Sequence, residues 1–177
     1  MIGLWGSTVI LHTARAQSTV AEPFTGTWQL VPGESSPIDP WNTLVYEFDV
    51  GPRHLALTRR WHGPTNYTAV DSVRVPIDGT PHRAPLSEWP DNRHIGAFAT
   101  ADRPRRVAAE WLDEGRTLRV TSRFWVDTSQ GQHRVRTYTE YRLAPAGKRL
   151  IVLELRSTRP MPRRYVLERS PNPKEKD

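Results

Sequence analysis

From Phe24 onward, apolar side chains recur at every second residue, and this period constrains the fold more than any other feature of the chain. Leu44, Tyr46, Phe48 and Val50 alternate with Val45, Glu47 and Asp49. Leu118, Val120, Phe124 and Val126 alternate with Arg119, Thr121, Arg123 and Trp125. Val135, Thr137, Thr139, Tyr141 and Leu143 alternate with Arg134, Arg136, Tyr138, Glu140 and Arg142. On a strand, successive side chains point to opposite faces, so each run carries one dry face and one charged face. That pattern belongs to antiparallel sheets wetted on one side. No helical period of comparable length competes with it.

Turn signals punctuate these runs at short intervals: Asp78-Gly79, Asp113-Glu114-Gly115, Ser129-Gln130-Gly131 and Pro145-Ala146-Gly147. Glycine supplies the positive φ that tight hairpins need. The spacing predicts strands near residues 25–31, 43–50, 54–62, 67–77, 105–112, 116–126, 132–143, 149–157 and 163–168. Short connections between consecutive strands make a meander, and about 8–10 such strands close into an up-and-down barrel that hides its edges. The expected fold class is therefore all-β. Two stretches break the pattern. Pro32–Pro40 reads as a loop leading to Trp41, and 81–104, with prolines at 81, 85, 90 and 104, reads as a long connection holding at most one short strand. A connection of that length is functional or mobile in many compact domains.

The 177 residues suffice for one domain with a real core. Its organisation is expected to be a signal peptide over 1–16, a linker over 17–23, a barrel over 24–169 and a polar, disordered tail over 170–177. Ile2–Leu11 is a short apolar run followed by Ala14-Arg15-Ala16, an A-x-A pattern of the kind cleaved after Ala16. No basic residue precedes the apolar run, so the signal lacks its usual start. The expected address is periplasmic or secreted. Mean hydropathy is −0.62, and no apolar run approaches the ~20 residues of a membrane-spanning helix. The formal charge of +6 is carried almost wholly by arginine, since Lys148, Lys174 and Lys176 are the only lysines. Arginine forks suit phosphate and carboxylate, so an anionic partner is one reading; the arginine-rich codons of a GC-rich genome are the other. With no cysteine, thiolate chemistry and disulfides are excluded.

Phe24-Thr25-Gly26-Thr27-Trp28 resembles the Gly-x-Trp opening of the lipocalin-like (calycin) barrels. The layout that follows extends the likeness over about residues 24–169: the Ile77-Asp78-Gly79 turn, Ala109-Glu110-Trp111 before a Gly turn and Leu118-Arg119-Val120, then Tyr141-Arg142-Leu143-Ala144-Pro145-Ala146-Gly147-Lys148-Arg149-Leu150, and Tyr165-Val166-Leu167-Glu168-Arg169. This is similar to a set of uncharacterised bacterial exported proteins with lipocalin-like folds. The resemblance implies a β-barrel outside the cytoplasm, with Trp28 on its closed floor beneath an arginine, for which Arg156, Arg163 and Arg164 are the candidates. It carries no ligand or activity. The mid-chain Thr-Asp-Tyr signature of lipocalins is absent, and so is the Gly-x-Trp-x-Gly-x-Gly pattern of haem-binding nitrobindin-like barrels, because Gln29-Leu30-Val31 follows Trp28.

Tyr46, Trp61 and Tyr141 fall on faces assigned inward. They line a ligand cavity if the barrel is hollow and fill the interior if it is not. Arg59 shares a face with Leu55, Leu57 and Trp61, so strict alternation turns it inward, where a charge needs a partner. A ligand carboxylate or an internal Glu would serve; a bulge after Thr58 would instead turn Arg59 outward. Histidines 54, 62, 82, 94 and 133 show no ligand spacing, so no metal site is expected. No cofactor or catalytic motif is present, and an enzyme would need Arg59 beside Glu154 or Glu110 inside the barrel.

Two functional classes follow. The first is a non-enzymatic, extracytoplasmic barrel that binds a small apolar or amphipathic molecule in a cavity of ~300 Å³ or more. The second is a filled barrel whose outward Arg119, Arg123, Arg134, Arg136 and Arg142 touch an anionic envelope polymer, a lipid surface or a protein partner. Nucleic acid is disfavoured by export and by dispersed charge.

Overall fold

The computed structural model describes residues 22–86, 88–90, 98–100 and 103–170; the expected signal peptide, most of the linker and the tail beyond Ser170 lie outside them. Eleven strands form one sheet: β1 (Gly26–Leu30), β2 (Thr43–Val50), β3 (His54–His62), β4 (Thr68–Pro76), β5 (His82–Ala84), β6 (Phe98–Ala99), β7 (Arg105–Leu112), β8 (Thr117–Thr128), β9 (Gly131–Leu143), β10 (Arg149–Arg156) and β11 (Arg163–Arg169). The order is β4-β3-β2-β1-β11-β10-β9-β8-β7-β5, with β6 paired to β8. The strand pairings are antiparallel, and the first long strand joins the last, Trp28 opposite Arg169. The result is a nearly closed antiparallel meander barrel, the architecture that the alternating pattern predicts. The long connection differs from expectation, for it contributes two short strands instead of one.

The barrel's one seam lies between β4 and the β5/β7 edge. At one end, Ile77 bridges Ala109 in parallel and the Gly79 amide donates to the Ala109 carbonyl at 2.9 Å. Farther along, the Arg105 side chain donates across the gap to the Ser72 carbonyl at 2.7 Å. Side chain thus replaces a missing ladder rung, which relieves the exposed-edge problem.

Inward faces make the core. Trp28, Leu44, Tyr46, Leu55, Trp61, Leu118, Tyr141 and Leu150 are buried in one large cluster. Phe124, Val126 and Val135 make a smaller one, against which Leu86 and Trp89 pack. The Tyr46, Phe48 and Tyr141 rings touch each other, with centroids 5.1–6.2 Å apart. Such ring packing stabilises by roughly 0.5–1.5 kcal/mol per pair beyond burial.

The floor is built around Trp28, whose indole N–H donates to the Phe24 carbonyl at 2.9 Å. Its stacking partner is Arg169, with the guanidinium carbon 4.3 Å from the ring. Arg156, the expected partner, lies elsewhere, over Trp89 at 5.1 Å. Arg163 and Arg164 are also turned to other partners, Tyr165 and the Glu34 carbonyl. Arg169 continues over the chain to the Thr25 and Pro23 carbonyls. Gly26 lies directly beneath it at φ +131°, and a Cβ there would come within 2.5 Å of the Arg169 guanidinium. The Gly of Gly-x-Trp is therefore required twice over, by backbone conformation and by the arginine crossing it.

Candidate functional site

The register places four inward side chains abreast on neighbouring strands: Trp28 opposite Tyr46, Tyr46 opposite Arg59, and Arg59 opposite Asp71. The β2–β3 and β3–β4 pairings run through Arg59 without a bulge, so Arg59 points inward. Its partner is Asp71, at 2.6 Å. Alternation from Ala69 through Val73 and Val75 forces this aspartate inside as well.

Asp71 holds two guanidiniums. Arg105 meets it with both terminal nitrogens, each 2.9 Å from a different carboxylate oxygen. That is the bidentate fork geometry that makes arginine–carboxylate pairs strong. Burial raises the Asp71 carboxyl, but Arg59 and then Arg105 more than offset this and hold it below the usual carboxylate range.

Across the barrel, Glu154 accepts from Arg156 at 2.8 Å, both buried, and its other oxygen lies 3.9 Å from Arg59. Asp71, Arg59, Glu154 and Arg156 therefore form a chain of charges through the interior, with Arg105 at one end. Trp61 flanks it, 5.1 Å from the Arg59 guanidinium carbon. Tyr46 and Tyr141 also face this layer. Burial and then the Tyr141 ring push Tyr46 well above its ordinary value, and burial likewise raises Tyr141. Both phenols are neutral, so the charge count rests on the other groups. Arg59, Arg105 and Arg156 face Asp71 and Glu154, and each of the three arginines has at least one of these carboxylates as its partner. Arg105 Nε and Ser122 Oγ are buried without a hydrogen-bond partner among the described residues.

One end of the barrel is covered by the first part of the long connection. Trp89 meets the Phe124 ring edge-on at 5.2 Å and lies against Arg156. The Pro90 carbonyl accepts from the Trp41 indole at 3.2 Å. Arg59 keeps 20% of its side chain exposed, against 4% for Asp71 and for Arg105, so it is where solvent reaches the charged layer.

The structure thus brings Arg59, Trp61, Tyr46, Tyr141 and Arg156 to one interior region. Glu110 is not part of it, since it faces outward and pairs with Arg119 at 3.6 Å. The sequence reading overlooked Asp71 and Arg105. For Asp71 the signal was present, a lone acid at an inward position of β4. Arg105 gave less, because it opens its strand directly after Pro104.

Outside, the β8–β9 hairpin sets the five expected arginines on one face, but they are not equivalent. Arg119 is neutralised by Glu140 at 2.9 Å and by Glu110, and Arg142 by Asp113 at 2.7 Å. Arg123, Arg134 and Arg136 stay outward without an ion pair among the described residues.

No protein-family model matches this chain, and no curated protein does. Among solved structures, it is similar to a fatty-acid-binding protein from Manduca sexta, at 10% identity and a TM-score of 0.46, over 82% of this chain and 98% of that one. It is also similar to secretory abundant heat soluble protein 4 from Ramazzottius varieornatus, at 9% identity and a TM-score of 0.49, over 84% of this chain and 96% of that one. Neither likeness bears on what this chain binds.

Proposed function

We propose that the protein is a non-enzymatic binding barrel, exported to the periplasm or beyond, that takes up a small amphipathic molecule with an acidic head. The head group sits on the arginine layer of Arg59, Arg105 and Arg156. The apolar part lies along Trp61 and Trp89, beside the packed Tyr46 and Tyr141 rings, and entry displaces the Trp89 segment. Export rests on the apolar run Ile2–Leu11 and on Ala14-Arg15-Ala16.

The observation that carries the reading is Arg59, which belongs to the buried ion-pair layer yet keeps 20% of its side chain exposed, against 4% for its partner Asp71. A carboxylate or phosphate entering from the Arg59 side engages that guanidinium in fork geometry. Arg105 Nε and Ser122 Oγ, buried without a hydrogen-bond partner among the described residues, are donors suited to the same chemistry.

Tryptophan fluorescence titration with dodecanoate and dodecanol tests it. The acid is expected to bind about tenfold more tightly than the alcohol, a difference worth ~1.4 kcal/mol, and Arg59→Gln to erase that preference. Equal binding of the two ligands to the unaltered protein, or binding of neither, defeats the proposal.

A further inference from the structure

We infer that the outer face of β7, β8 and β9 carries a second site, independent of the interior one, for a small ligand bearing two or more adjacent phosphate groups. The register is the starting point. Arg106 lies opposite Arg123, and Arg123 opposite Arg136, so three arginines stand abreast on three neighbouring strands. Strands are ~4.8 Å apart, and like charges placed directly across a ladder repel. The same three strands avoid this elsewhere. Glu110, Arg119 and Glu140 form another row in which the signs alternate and both contacts close as ion pairs. The arginine row has no such relief, because among the described residues none of its members makes an ion pair.

Around Arg106 and Arg123 lies a groove of about 680 Å³, walled by Gly79 and Pro81 of the β4–β5 turn, by Pro104 and by Glu110, with Arg136 beyond its edge. Arg134 lies beside Trp125 in the next register row, and Arg134, Arg123 and Arg106 all line the groove. Its volume falls in the range of small-ligand sites, ~300–1,000 Å³. Two of the guanidiniums on this face are held in place by aromatic stacking: Arg103 over Trp125 at 4.7 Å and Arg136 over Tyr138 at 5.3 Å. Stacking fixes the plane of each fork, so less freedom is lost when it grips an oxyanion.

The chemistry of the ligand follows from the row. Arg106, Arg123 and Arg134, the forks that line the groove from β7, β8 and β9, spread over two strand spacings, ~10 Å, exceed what one carboxylate engages and match a diphosphate or triphosphate chain. Because Trp125 and Tyr138 already carry arginines, they do not offer bare platforms for stacking a run of bases, and the groove is sized for one small molecule. An evenly solvated basic face accounts for exposed arginines. It does not account for like charges abreast beside a row whose signs alternate.

Titration calorimetry of the full chain with inorganic tripolyphosphate, pyrophosphate and orthophosphate provides the test. Tripolyphosphate and pyrophosphate are expected to bind, and orthophosphate to bind at least about tenfold more weakly. Arg123→Gln should lower tripolyphosphate affinity by about tenfold or more, while Arg142→Gln, on the same hairpin but outside the groove, changes it by less than about twofold. Without ligand, the melting temperature of Arg123→Gln should stay at or above that of the unaltered protein, since the variant breaks the repulsive row. Equal losses in the two variants would mean a diffuse basic surface and overturn the proposal. A loss on Arg59→Gln equal to that on Arg123→Gln would move the anion to the interior, and binding only to a uronate polymer or to anionic vesicles would replace the ligand class. Either result ends the proposal while leaving the amphipathic-ligand reading to its own titration.

Discussion

At Asp71 one buried carboxylate receives Arg59 and Arg105 together, and the rest of the interior charge is arranged around that contact. Asp71→Asn removes the charge but keeps the shape, leaving two guanidiniums facing each other. The expected cost is about 3–5 kcal/mol, the usual result of breaking a buried ion pair from one side. Acid should do the same thing more gradually. Because the folded carboxyl lies below its unfolded value, near 3.9, its stabilisation is complete above that value and fades as pH falls through the lower folded one. Urea denaturation between pH 7 and pH 2 should show this acid loss in the unaltered protein and a flatter acid limb in Asp71→Asn. Identical acid limbs would show that Asp71 does not carry the dependence. The pair was readable in principle from residues alone. Folding the chain back on itself between His62 and Thr68 brings Arg59 opposite Asp71, so an inward arginine and an inward acid select each other. The Arg169 lid on Trp28 was not readable in this way, because its position depends on closing the barrel between the ends of the sequence.

The nine long strands follow from period-two alternation, because each buries one face and wets the other. β5 and β6 do not, being three and two residues long, too short for any period to register. Their existence depends on neighbours: β5 completes the β7 edge beside the seam, and β6 lies along β8. The seam itself was invisible in the sequence, since a meander of alternating strands reads the same whether or not it closes fully. Arg105 acts on this scale as a rung between β4 and β7. Arg105→Met keeps the stem's packing and loses the rung. Amides of β4, the strand at the sheet's edge, should then exchange with deuterium faster, whereas those of β9 and β10 keep their protection. Uniform acceleration across the sheet would mean that Arg105 supports global stability and not the seam.

For the whole molecule, the two proposed sites lie on opposite sides of the same sheet, one within the barrel and one on its outer wall. Ligands that bind only the folded state each stabilise it by mass action, by ~2.7 kcal/mol at a hundredfold excess over Kd. Distinct sites make these gains additive to within about 0.5 kcal/mol. Thermal or chemical unfolding with dodecanoate, with tripolyphosphate and with both should therefore give a combined shift close to the sum. A combined shift no larger than the greater single one would place both anions at one site. The pairing of Trp28 with Arg169 also sets an order in time. A ribosome delivers β1 long before β11, so the opening strand can pair at first only with β2. Its other edge, and the indole that Arg169 will cover, must wait until nearly the whole chain has emerged. Closing the barrel is thus the final act of making it, and a chain cut short of Arg163 would carry two additional unpaired edges, on β1 and β10, ready to bind a neighbour.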